Sequence, residues 1–177
     1  MQRRPGVTGR RSLSASIGAA IAWLAAGPCP AQASIWEGGQ RFEAHAVPAW
    51  HGARRPPNFA GAGRQFRFMR TRLRAGFASD PLYAGHWVIV QAGCGAGCVS
   101  VWIGDVTTGR IIRFPLGGED NYTLQLHYRP TSRLVKARWS TSAGDDARCA
   151  GADLIWNGRA FTQTPLPLLP GACPWGE

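Results

Sequence analysis

The amino-acid sequence predicts a β-rich α+β domain: an antiparallel meander of about seven short strands, with one N-terminal amphipathic helix packed on one face. Three observations lead to this fold class. A single segment has apolar residues at helical spacing, the segments after it are short and apolar or alternating, and turn residues separate them at short intervals. Because the strands follow one another directly, neighbours in sequence are expected to pair.

Residues 1–33 have the features of a secretory signal peptide. Four arginines precede the apolar run IGAAIAWLAA, and the small residues of AQA favour cleavage after Ala33. The run is shorter than the roughly 20 apolar residues of a transmembrane helix, so no integral membrane protein is expected. Cys29 should leave with the leader. Arg10-Arg11 fits twin-arginine export loosely, and the general secretory route is the default. Either route predicts a periplasmic or secreted protein.

Between the leader and the helix lies a segment of weak periodicity. Residues 34–64 are rich in Gly, Pro and Ala, which predicts a loop-rich lead-in with one short strand near 40–46. Residues 65–177 are expected to form a single disulfide-containing β-rich domain. The chain after the leader is long enough for one ordinary domain with a core of its own.

The helix is predicted over 65–78. In this segment arginines lie mostly between the apolar residues, and a following Asp-Pro pair is expected to end the helix. Steps of three and four residues place side chains on one face of an α-helix. The apolar residues at those steps are Phe66, Met69, Leu73 and Phe77.

The remainder of the chain is predicted to consist of strands joined by turns. Asn157-Gly158 is the strongest two-residue hairpin signal, and DVTTG at 105–109 indicates a longer hairpin loop. Between 123 and 128 the apolar residues alternate, as in a half-buried strand. The predicted strands are 86–91, 99–103, 110–116, 123–128, 134–139, 153–156 and 159–164.

Four cysteines follow the leader, and they are Cys94, Cys98, Cys149 and Cys173. An even number of cysteines in an exported chain predicts disulfide bonds. Four cysteines allow three pairings, and the sequence does not choose among them. One local pair and one long pair is the arrangement we favour.

The stretch AGCGAGCV at 92–99 allows four interpretations. A zinc site would need more ligands than one close pair, and a thioredoxin-type redox pair has two residues between its cysteines, where this loop has three. A cysteine nucleophile needs a positioned base, for which His86 and His127 are available. The favoured interpretation is a tight glycine-rich loop closed by sulfur. No metal and no cofactor are expected.

Positive charge is concentrated before residue 75. Residues 34–74 carry eight arginines against two acids, whereas in 75–177 seven arginines and one lysine balance eight acids. A solvated basic face is the simple explanation. The functional one is contact with an acidic partner, such as a phospholipid head group or an anionic envelope polymer. The residues expected to bind it are Arg64, Arg67, Arg70, Arg72 and Arg74. Nucleic acid is not an expected partner of an exported chain without interleaved aromatic platforms.

Several other polar and aromatic residues have ordinary structural explanations. His86, at the start of a predicted strand, is expected to be a structural hydrogen-bonding residue, with a functional role over the cysteine loop as the alternative. Asp105 is expected to cap the backbone of its turn. Tryptophans recur in the strands and are expected in the core, although an exposed row of them would make a ligand platform. These are Trp87, Trp102, Trp139 and Trp156.

Three segments between 68 and 111 share a recognisable pattern: FMRTRLR, PLYAGHWVIVQAGCGAGC and VWIGDVTTGRI. In this pattern the chain resembles a family of small exported bacterial proteins of unknown function, which have a GHxxxxxxGCGxGC loop followed by a DxxTG hairpin. Leu82-Tyr83 stands where that family has Asn-Phe, and Gln91-Ala92 stands where it has a polar residue and Trp. The resemblance implies export and a cysteine loop, and it implies no activity.

The sequence therefore favours an exported, non-catalytic binding or interaction module of the bacterial cell envelope. Its partner would be an unknown and anionic envelope component. The alternative is a small thiol-dependent enzyme, redox protein or metal protein centred on Cys94, Cys98 and His86. A third interpretation, a polysaccharide-binding or polysaccharide-cleaving protein, needs an exposed tryptophan row, and cleavage also needs paired carboxylates.

Overall fold

The computed structural model describes residues 36–174, and the predicted signal peptide and its cleavage site lie outside them. Within these residues one α-helix, α1 (Arg70–Ala78), precedes seven strands. The strands are β1 (Trp87–Gly95), β2 (Cys98–Asp105), β3 (Ile111–Arg113), β4 (Tyr122–Tyr128), β5 (Leu134–Ser140), β6 (Arg148–Trp156) and β7 (Phe161–Pro170). The β-rich α+β class is confirmed.

The strands form two antiparallel sheets, where the sequence predicted a single meander. The first sheet has the order β1-β2-β3 and the second the order β4-β5-β6-β7, so sequential strands pair within each sheet. The segment between β3 and β4 does not continue the ladder and makes only an isolated bridge, Val99 to Gly118. Pro115 cannot donate to a ladder, and Gly117 and Gly118 both have positive φ. These residues end the first sheet and let the chain start a second one.

The prediction for 65–78 is half right. The segment Gly61–Met69 is a 3-10 helix, and only Arg70–Ala78 is α-helical. The apolar spacing gives the reason. Phe66 and Met69 are three residues apart, the repeat of a 3-10 helix, whereas Leu73 and Phe77 are four apart, as on one face of an α-helix.

Several other boundaries differ from the sequence prediction. Strand β1 continues to Gly95 where an end at 91 was expected, β3 ends at Arg113 where 116 was expected, and β6 begins at Arg148 where 153 was expected. The short strand expected near 40–46 is wrong, because Phe42–His45 forms a 3-10 helix. The last strand runs to Pro170, although prolines 165, 167 and 170 lie within it. Proline is tolerated there because β7 is the edge strand of its sheet and can leave one side of its backbone unpaired.

The two sheets pack face to face around the larger apolar core. Val101 and Ile103 of β2 contribute from the first sheet, and Val135 of β5 and Leu154 of β6 contribute from the second. All four are at most 3% exposed. This packing leaves each sheet with one outer face to be covered.

Helix α1 covers the outer face of the first sheet. Leu73 and Phe77 pack there with Val88 and Val90 of β1 and with Trp102 of β2. Close approach is possible because two glycines lie at the contact. A Cβ on Gly76 would overlap Val90, and a Cβ on Gly104 would overlap the ring of Phe77.

The lead-in segment covers the outer face of the second sheet. Lys136 on β5 is buried and donates from Nζ to the carbonyls of Trp36 and Gly38, at 2.8 and 2.7 Å. Asp153 on β6, fully buried, accepts the backbone N–H of Gln40. The described part of the lead-in is therefore fixed to the sheet through buried charged groups.

Candidate functional site

The stretch AGCGAGCV forms the turn of the β1–β2 hairpin, closed by a disulfide between Cys94 and Cys98 with Cα atoms 5.0 Å apart. Gly97 has a positive φ, and a Cβ there would overlap the ring of Tyr122. The turn therefore needs glycine at this position for its backbone and for its packing. The loop is a disulfide-closed turn, as favoured from the sequence.

The second disulfide joins Cys149 on β6 to Cys173, with Cα atoms 4.6 Å apart. Both cysteines are buried. The four cysteines thus form one local and one long pair, and no free thiol is present among residues 36–174. Two disulfides are compatible with an oxidising compartment outside the cytoplasm.

The structure does not bring His86 to the cysteine loop. Trp87 pairs with Asp105 at one end of the β1–β2 hairpin, and Gly95 pairs with Cys98 at the other. Seven residue steps at ~3.4 Å each separate the two ends by about 24 Å. The geometry therefore gives no support to a thiol centre that includes His86. In the described part of the chain, no group of three or more His, Cys, Asp or Glu could hold a metal ion.

His86 instead meets Asp105. The Nδ1 of His86 lies 3.0 Å from Oδ1 of Asp105, because the register of β1 on β2 places the two residues at the same end of the hairpin. His86 is about one-third exposed, with 37% of its side chain accessible, whereas Asp105 is buried. A histidine with one nitrogen on a buried carboxylate has a fixed ring orientation.

Asp105 is held by the turn that follows it. Thr107 donates from its backbone N–H at 2.8 Å and from its hydroxyl at 2.6 Å, and the hydroxyl of Thr108 donates at 2.8 Å. The predicted capping role is confirmed. Burial raises the pKa of Asp105, but hydrogen bonds from Thr107, Thr108 and His86 oppose it, and the net pKa lies below the ordinary value. The carboxylate is therefore ionised at neutral pH.

A tight turn over 83–87 positions His86. Tyr83 and Trp87 exchange backbone hydrogen bonds at 2.6 and 2.8 Å, which forces the residues between them to reverse direction. Ala84 and Gly85 both have positive φ. A positive φ is uncommon for alanine. This backbone conformation costs of order 1 kcal/mol, which the surrounding contacts must offset. One such contact is the hydrogen bond from the hydroxyl of buried Tyr83 to the carbonyl of Arg133, at 2.6 Å.

A groove opens beside His86. Its first cavity, about 380 Å³, is lined by Trp50, His86, Trp87, Arg133 and Trp156 among others. A second cavity of about 480 Å³ shares Trp50 and Gly85 with the first. We call the two adjoining cavities the Trp50 groove.

The sequence did not single out Trp50. It reaches the groove because the lead-in returns along the end of the second sheet, where the N–H of Val47 bonds the carbonyl of Thr131 at 2.9 Å. Its ring then lies edge-on to the ring of His86, with centroids 6.1 Å apart. Such a long-range contact leaves no periodic signal in the sequence.

The strand tryptophans do not form an exposed row. Trp87, Trp102 and Trp156 are at most 5% exposed, and Trp139 packs against the core. Their expected place in the core is confirmed. Trp50, at 37% exposure, is the tryptophan that offers a surface in the described region.

The arginines predicted to bind a partner lie together on one exposed segment. Arg64 and Arg67 belong to the 3-10 helix, and Arg70, Arg72 and Arg74 to α1. All five are exposed, and no salt bridge involves them within residues 36–174.

An exposed aromatic residue accompanies these arginines. Phe68, between Arg67 and Arg70 in the chain, is 75% exposed, with its ring 6.5 Å from that of buried Trp102. The nearest acid along the chain is Asp80, which already pairs with Arg54. We call Phe68 and the five arginines the arginine surface.

No helix in the described residues is long and apolar enough to cross a membrane. Comparison with known proteins supplies no relative: no protein-family model, no curated protein and no solved structure matches this chain.

Proposed function

We propose that this protein is an exported, non-catalytic binding module of the bacterial cell envelope, which contacts anionic phospholipid head groups through the arginine surface. One observation carries the proposal. Five exposed arginines without acidic partners in the described chain flank Phe68, a phenylalanine that is 75% exposed. Export is part of the proposal and rests on the leader-like sequence of residues 1–33 and on the two disulfides.

The combination of charge and exposed aromatic surface favours a lipid surface as the partner. Each arginine near an anionic membrane adds roughly 1 kcal/mol of attraction, and guanidinium groups match phosphate geometry. An anionic polymer would satisfy the arginines and leave Phe68 in water. A bilayer satisfies both, because the ring can enter the boundary between head groups and acyl chains while the arginines remain among the phosphates.

The proposal is tested by sedimentation with lipid vesicles. The purified exported chain should sediment with vesicles of equal parts phosphatidylglycerol and phosphatidylcholine, and not with phosphatidylcholine alone. Raising the salt concentration should release it, because exposed charges are screened. The triple variant R64Q/R70Q/R72Q should bind the anionic vesicles roughly 100-fold more weakly, at ~1 kcal/mol per charge.

A second triple variant provides the matched control. Arg41, Arg148 and Arg159 are also exposed, and they lie in the lead-in, at the start of β6 and in the turn between β6 and β7. R41Q/R148Q/R159Q removes the same net charge and should bind the anionic vesicles within about threefold of the unchanged protein, since only long-range attraction is lost. Equal losses in both variants would show that total charge, and not this surface, drives binding. Binding to phosphatidylcholine alone would also refute the proposal.

We also propose that the chain is related to the small exported proteins it resembles. The GH element and the DxxTG hairpin of that pattern supply His86 and Asp105, which share a hydrogen bond. These two parts of the pattern are separated in sequence and meet in space. If the related proteins share one fold, both residues are needed in each of them to make this contact. A structure of a second protein with this pattern should contain the same histidine–aspartate contact.

A further inference from the structure

We propose that the Trp50 groove binds an acidic oligosaccharide, with His86 as an oriented hydrogen-bonding residue. The groove is a separate site from the arginine surface, so this inference does not depend on the proposed membrane contact. It rests on the orientation of His86, on the positive charge of the groove, and on the shape of the two cavities around Trp50.

The contact with Asp105 determines which nitrogen of His86 a ligand meets. Because Asp105 is ionised, it accepts a hydrogen bond from Nδ1 of His86, 3.0 Å away. Nε2 is therefore the ring nitrogen left to meet a ligand. The ring is held between Trp50 and Trp87, with centroid distances of 6.1 and 5.5 Å. His86 thus offers an oriented ring nitrogen that can share a hydrogen bond with a sugar hydroxyl, which is able to donate or accept.

The charge of the groove favours an acidic ligand. Arg133 lines the first cavity, and no aspartate or glutamate is among the described residues that line it. Arg110 stands at its edge, since its guanidinium donates to the carbonyl of Gly158 at 2.8 Å and lies 5.3 Å from the ring centre of Trp87. In the second cavity the carboxylate of Asp80 is paired with Arg54. A carboxylate on the ligand would therefore meet the guanidinium groups of Arg133 and Arg110, since the carboxylate of Asp105 is engaged by His86, Thr107 and Thr108.

The shape of the groove favours several linked units over a single small acid. The cavities of about 380 and 480 Å³ adjoin at Trp50, so a chain can pass across its exposed indole from one to the other. The apolar face of a sugar ring packs well on an indole, while its hydroxyls need polar partners at the edges. Trp156 also lines the first cavity, and its buried Nε1 has no hydrogen-bond partner among residues 36–174.

The experiment is a titration followed by the indole N–H signals in NMR spectra. The probe is hexagalacturonate, an acidic oligosaccharide, and maltohexaose is its neutral counterpart. Hexagalacturonate should shift the signals of Trp50 and Trp87 and leave that of Trp102, which lies under the arginine surface, unchanged. Maltohexaose should bind at least tenfold more weakly. A shift confined to Trp102, no shift at all, or equal affinity for both probes would overturn the inference.

Three variants separate the groove from the arginine surface. W50A changes an exposed side chain and should weaken hexagalacturonate binding about tenfold or more, judged on the Trp87 signal. R133Q should weaken hexagalacturonate and leave maltohexaose unaffected. R64Q/R70Q/R72Q, which is expected to weaken the proposed vesicle binding, should leave hexagalacturonate binding at the groove unchanged. If W50A and R133Q bind as well as the unchanged protein, the groove is not the site.

Discussion

Asp105 illustrates how one carboxylate organises an end of the β1–β2 hairpin. It accepts hydrogen bonds from His86, from the backbone and hydroxyl of Thr107, and from the hydroxyl of Thr108. These bonds hold its pKa below the ordinary value. A depressed pKa in the folded state means that the stabilisation is present above the unfolded pKa of about 4 and is lost as pH falls through the folded pKa.

The variant D105N tests this pH-dependent stabilisation by Asp105. An amide is a weaker acceptor than a carboxylate, so the free energy of unfolding at pH 7 should fall by roughly 2–4 kcal/mol. At pH 2.5 the difference should shrink, because the aspartate is then protonated in the unfolded state of the unchanged protein, and the stabilisation from its lowered folded pKa is partly lost. Urea unfolding at both pH values measures this. D120N, at an exposed acid, should change little. A D105N effect that is the same at both pH values would contradict the assigned ionisation.

The residues of the candidate sites were only partly visible in the sequence. His86, Asp105 and the five arginines stand out by type and spacing. That His86 meets Asp105 depends on the register that pairs Trp87 with Asp105, which local patterns do not determine. The position of Trp50 depends on how the lead-in folds back onto the second sheet. A single sequence does not reveal contacts between residues that lie far apart along the chain.

At the scale of elements, helix α1 packs closely on the first sheet because Gly76 and Gly104 lie at their contact. Alanine at an exposed helix position would normally be preferred to glycine by up to about 1 kcal/mol. Gly76 faces Val90, however, and Val90 has a short, stiff side chain that cannot move aside. G76A should therefore lower the free energy of unfolding by about 1–2 kcal/mol, as measured by urea unfolding, because overpacking exceeds the gain in helix propensity.

A double-mutant cycle isolates this contact. V90A opens space opposite residue 76, so G76A introduced into V90A should be neutral or stabilising. If G76A destabilises both backgrounds equally, the close packing of helix and sheet is not the cause. The cycle needs no functional assay, so it tests the fold independently of either proposed binding site.

The element pattern was predictable where periodicity is local. The apolar spacing of 65–78 indicated a helix. Asn157 and Gly158 lie in a turn between β6 and β7 as predicted, but this turn has four residues, 157–160, and the expected two-residue hairpin is wrong. The division into two sheets was not predictable, because the segment between β3 and β4 has the turn residues of an ordinary connection. The sheets stack because residues of their inner faces, such as Val101 and Leu154, pack together in the core. This long-range packing is not visible in local sequence patterns.

At the scale of the whole molecule, the described chain has four layers. The helix covers the first sheet, the two sheets enclose the core, and the lead-in covers the second sheet through Lys136 and Asp153. The Cys149–Cys173 disulfide closes the longer loop, and the Cys94–Cys98 disulfide closes a turn. The disulfides stabilise this architecture, and the arginine surface and the Trp50 groove remain open to ligands.

The most direct test of the central claim is amide hydrogen–deuterium exchange of the exported chain with and without phosphatidylglycerol-containing vesicles. Contact through the arginine surface predicts slower exchange over residues 61–78 in the presence of vesicles, and unchanged exchange in strands β4 to β7. Phosphatidylcholine vesicles should have no effect. Slower exchange in the second sheet instead, or no change over 61–78, would contradict the assignment of this surface to the membrane.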